Sequence, residues 1–151
     1  MTCWLSGGAM ASKKELARFT AEIMDSAVAT IGGIRFTEGA VVSVCAQIMA
    51  NGCTIEDLAV PDRTKKGVRV DEPWKGHAMA HSVGATIDGT LLKVEFSVPD
   101  TRYGRILMAT ADTVGGFDKI RFIPAGQAKA DNDGVVDAFK LSYVTFKSDL
   151  K

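Results

Sequence analysis

Along the first third of the chain, apolar residues recur at three- and four-residue steps. Leu16, Phe19, Ile23, Ala27 and Val28 form one stripe, with Glu15, Arg18, Glu22 and Asp25 between them. That period predicts a half-buried helix. Ser12 followed by Glu15 has the capping-box spacing, and Gly32-Gly33 supplies a stop. From Ala40 to Ala50 the apolar positions Val41, Val42, Val44, Cys45, Ile48 and Met49 again fall at helical spacing. The β-branched residues weigh against a helix there. The length of the run and the Asn51-Gly52 stop decide for one. Thr54 with Asp57 repeats the capping pattern for one short helical turn, which Pro61 ends.

Between Pro61 and Gly76 the period vanishes and charges crowd in, so the segment reads as a surface connection. Beyond it the pattern changes to strands. Asp88-Gly89 is a two-residue hairpin signal. With those residues as the loop, Ile87 faces Thr90, Val83 faces Val94, and His81 faces Phe96. The hairpin then has one apolar and one mostly polar face, and His81 is expected to be buried and neutral. Three further strands are expected, at roughly Arg105 to Ala111, Phe117 to Ile123 and Val135 to Phe146. Gly115-Gly116 separates the first two. Residues 124–134 read as a mobile polar loop, where a side chain at Gly126 should be tolerated.

Together these elements predict an α+β fold, with N-terminal helices packed on one face of a four- to five-stranded antiparallel β-meander. One domain is expected over residues 12–151. Residues 12–60 are mainly helical in this reading, 61–76 form the charged connection and 77–148 the antiparallel sheet. Residues 1–11 read as a flexible lead-in.

Composition narrows the class. A chain of 151 residues with 46% hydrophobic and 24% charged residues can fill a core of its own. Eighteen cationic residues balance eighteen anionic ones, which removes the overall basic excess of a dedicated nucleic-acid or membrane-surface protein. Three cysteines, an odd and sparse set, read as reduced thiols, so the expected location is cytoplasmic. No run of apolar residues is long enough to span a membrane.

Candidate chemistry is sparse. His77 and His81 are the two histidines, four residues apart. On a helix they would share a face about 6 Å apart, but on a strand they lie about 13 Å apart. No joint metal site is therefore expected. Arg63, Lys65, Lys66 and Arg69 form a short basic run that could hold phosphate, with Asp62, Asp71 and Glu72 offsetting it. Trp74, His77 and His81 are the residues that would line a pocket between helices and sheet. Asp131-Asn132-Asp133-Gly134 lacks the ligand order of a calcium loop, since Lys129 occupies its first position, and reads as a turn. No phosphate loop, nucleophile elbow or dinucleotide fingerprint occurs, and no cofactor is expected.

Three function classes fit this pattern. The first is a non-catalytic interaction protein, self-associating as a homodimer. The second is a nucleic-acid binder using the Arg63–Arg69 loop. The third is a small-molecule-binding protein or enzyme with a pocket between helices and sheet.

Overall fold

The computed structural model describes residues 15–29, 33–56 and 78–147. The expected lead-in, charged connection and short turn beyond Glu56 lie outside these residues. Among the described residues the chain forms seven strands and two α-helices. In order they are β1 (Glu15–Asp25), β2 (Arg35–Phe36), α1 (Glu38–Asn51), β3 (Thr54–Ile55), β4 (Ala80–Asp88), β5 (Leu91–Pro99), α2 (Arg102–Val114), β6 (Arg121–Ala130) and β7 (Val135–Lys147). The strands form one curled, mixed sheet. β1 pairs with β5, β5 with β4, β4 with β3, β3 with β7, and β6 flanks the other edge of β7.

This corrects the expected architecture of N-terminal helices on an antiparallel meander. The first expected helix is β1. From Ala17 to Ile23, apolar and polar residues alternate strictly, and Ala21 and Ile23 are buried while Thr20 and Glu22 are exposed. A period of two places every second side chain on one sheet face. Pairing with β5 sets Phe19 opposite Phe96 and Ala21 opposite Val94. A short segment can satisfy both periods, and here the partner strand selects the strand.

A second correction concerns Arg105 to Ala111, which is helical. Thr101 caps α2 by accepting the Gly104 N–H at 3.0 Å, and Gly115 adopts the left-handed conformation at its end. Gly104, Leu107 and Ala111 are the buried stripe. Phe117–Lys119 form a 3-10 turn, and strand β6 continues through most of the segment expected to be a loop. The Thr54–Asp57 capping pattern gives β3 rather than a helical turn over its described part.

α1 lies where its periodicity places it. Thr37 accepts the Ala40 N–H at 3.1 Å, and Ala40, Val41, Val44 and Ile48 are buried. Its sequence neighbours β2 and β3 both run parallel to β7, β2 at Val135–Val136 and β3 at Val144. The chain thus follows one edge of β7 and loops out into α1 midway. Gln47 bridges the interruption: its Nε2 donates to the Phe139 carbonyl at 2.8 Å, and its Oε1 accepts the Leu141 N–H at 2.9 Å. A side-chain amide has the donor and acceptor of a peptide group, so it replaces a missing strand residue.

The β4–β5 hairpin turns at Gly89-Thr90, with Asp88 opposite Leu91 and Ile87 opposite Leu92. The expected loop was one residue earlier on each strand. Thr90 accounts for the placement: its hydroxyl donates to Asp25 at 2.7 Å, and its carbonyl accepts the Ser26 N–H at 3.0 Å. Farther along, a bulge between Ser82 and Gly84 changes the facing of β4. His81 therefore pairs with Ser97, not Phe96, and is exposed rather than buried.

Candidate ligand-binding cleft

The two outer strands of the curled sheet, β1 and β6, approach each other without pairing. Phe19 on β1 stacks on Phe117 at 4.0 Å between centroids and on Phe122 of β6 at 5.4 Å. Toward the other end of β1 the rings give way to a cleft of about 700 Å³. One wall is Glu22 to Asp25 of β1, where a bulge between Glu22 and Met24 turns the strand. The opposite wall is Arg121 to Pro124 and Ala128 of β6, and Phe36, Val136 and Phe139 line the interior. Phe36 meets Phe139 edge to face at 5.6 Å, which holds that wall in place. Val28 and Ile34 lie at the cleft and remain 60% and 41% exposed.

The lining is apolar apart from Glu22, Asp25 and Arg121. Asp25 is already engaged, accepting the Thr90 hydroxyl and the Ala27 N–H at 2.9 Å. Glu22 stands opposite Lys93 in the β1/β5 register. Arg121 is exposed and pairs with no carboxylate among the described residues.

Of the residues singled out in the sequence, Arg63, Lys65, Lys66, Arg69, Trp74 and His77 lie outside the described residues. His81 stands on β4 opposite Thr54 of β3. It borders a separate hollow of about 270 Å³ at the end of α1, with Asn51, Cys53, Ser82 and Ser142. Of the three residues expected to line a pocket, His81 is the described one, and it does not line the larger cleft. That cleft lies between two sheet edges that come from opposite ends of the chain, and no local pattern announces such a site.

Two buried groups near the smaller hollow bear on chemistry. Burial pushes the Cys53 thiol up to about 11, opposed by a hydrogen bond with Ser82. It is therefore protonated at neutral pH and is no nucleophile. Glu56 is 2% exposed, and its Oε2 accepts the Thr54 hydroxyl at 3.0 Å. Among the described residues, no three histidine, cysteine or acidic side chains group as metal ligands, and no helix is long and apolar enough to cross a membrane.

No family model matches the chain, and no curated protein or solved structure matches it.

Proposed function

We propose that this protein binds a small, predominantly apolar molecule in the cleft between β1 and β6. The size and apolar lining of the cleft carry this reading. The cleft's 700 Å³ falls within the range of ligand pockets, and at about 30 Å³ per water-sized group it has room for roughly twenty non-hydrogen atoms. Its walls are aliphatic and aromatic, with few polar groups to orient a ligand.

Self-association has narrower support. The free edges of β1 and β6 are poor templates for pairing, because β1 carries two bulges and β6 carries Pro124 and a bulge after Ala125. A second copy would pack instead on the outward face of α1, where Val42 and Met49 are exposed and no charge follows Glu38. A monomer by light scattering at high concentration removes that reading.

The binding reading is tested with N-phenyl-1-naphthylamine, a neutral probe that fluoresces in apolar surroundings. Ala128 lines the cleft and is exposed, so Ala128→Trp fills the mouth without entering the core. The expected result is saturable binding to the parent, at least tenfold weaker binding to Ala128→Trp, and a melting temperature unchanged within a few degrees. Absence of saturable binding, or equal binding by the variant, overturns the proposal.

A further inference from the structure

We infer that the ligand of this cleft is a carboxylate amphiphile, with its apolar body against Phe36, Val136 and Phe139 and its carboxylate on Arg121; the inference rests on the cleft being a binding site. Three observations carry it. Among the described residues Arg121 is the one cation in the lining, which is otherwise mostly apolar. A guanidinium keeps its charge at any physiological pH and presents paired N–H donors that match the two oxygens of a carboxylate. Among the described residues no carboxylate neutralises it.

Asp25 does not reverse this balance. Asp25 spends one carboxylate oxygen on the Thr90 hydroxyl and the Ala27 N–H, which fixes it as part of the hairpin turn. Glu22 is exposed on β1 in register with Lys93, whose ammonium is held by Asp88 at 3.1 Å. Asp25 is thus committed to local partners, whereas Arg121 has no carboxylate partner among the described residues.

Displacement of N-phenyl-1-naphthylamine by decanoate, decanol and decylamine tests the assignment on the parent and on Arg121→Gln. These three competitors share an apolar body and differ in the charge of the head. On the parent, decanoate is expected to compete at least tenfold better than decanol or decylamine. Arg121→Gln should abolish that preference while leaving probe and decanol binding within about twofold. Decanol or decylamine matching decanoate on the parent overturns the inference, as does a decanoate preference that survives Arg121→Gln. In either case probe binding persists, so the cleft stands as a site while its ligand class falls. Failure of the probe to bind removes both.

Discussion

The curled sheet has two seams, and they are closed by different forces. Between β7 and β4 the seam is made of hydrogen bonds. β3 pairs with both strands, the Glu56 N–H donates to the Val144 carbonyl at 2.8 Å, and Gln47 serves the stretch that β3 does not reach. Between β1 and β6 the seam is made of stacked rings, and the backbone edges stay apart. Hydrogen bonding must satisfy every buried backbone group, so the first seam closes down to the smaller hollow at the end of α1. Rings need only area and can stop partway, so the second seam opens into the cleft beyond them. Apolar content alone does not separate these regions: Val144 and Val136 lie on one strand, the first in the closed seam and the second in the wall of the cleft.

The largest effect is expected where β6 is held to β7. A Cβ added at Gly126 would lie 2.0 Å from the Lys140 carbonyl oxygen, a backbone atom that cannot turn aside. Gly126→Val should cost on the order of 3 kcal/mol and detach the β6 side of the cleft, seen as a fall in melting temperature and lost probe binding. Gly89→Val serves as the comparison. Gly89 has φ +66° but open space around it, so only backbone strain opposes the side chain, roughly 1–2 kcal/mol. A milder result for Gly126 than for Gly89 would show that β6 does not pair closely with β7 at the bulge.

Breaking the hydrogen-bonded seam comes next. Gln47→Ala leaves the Phe139 carbonyl and the Leu141 N–H without their partner, a loss of about 2 kcal/mol in denaturant unfolding. Gln47→Glu keeps the acceptor and removes the donor, and should fall between the two. If Gln47→Ala is neutral, water or a backbone shift replaces the bridge, and the contrast between the seams weakens.

The smallest expected effect is a pH dependence within the same seam. Cys53 is buried, and its thiol is raised from 9.0 to about 11 in the folded chain. The folded state therefore disfavours the thiolate. The stability tied to the neutral thiol is intact below pH 9 and is lost as the pH rises from 9 toward 11. Unfolding measured at pH 8 and pH 10.5 should show a larger alkaline loss for the parent than for Cys53→Ala. Iodoacetamide at pH 8 should label half-buried Cys45 well before Cys53. Equal labelling rates would place Cys53 in contact with solvent.

Legibility in the sequence followed the range of the forces. α1 was readable because its stripe from Val41 to Ile48 and its Asn51-Gly52 stop are local. β7 was readable for the same reason, as a long run of β-formers after a turn. β1 carried a clear alternation from Ala17 to Ile23, but its stripe of Leu16, Phe19 and Ile23 also fits a helix. α2 has local signals in its cap Thr101 and its end at Gly115, in a stretch expected to be a strand. His81 was misplaced by a single bulge, because one extra residue exchanges the two faces of a strand.

By itself the sequence determined that the chain can fill a core, where α1 forms, and that a hairpin follows near Asp88-Gly89, though not its register. Those properties depend on composition and on residues a few positions apart. The tertiary structure alone decided that β1 is a strand, that Gln47 completes the edge of β7, and that Arg121 and Asp25 line one apolar cleft. Each of these joins residues distant in the chain, and their partners exist only once the sheet has curled.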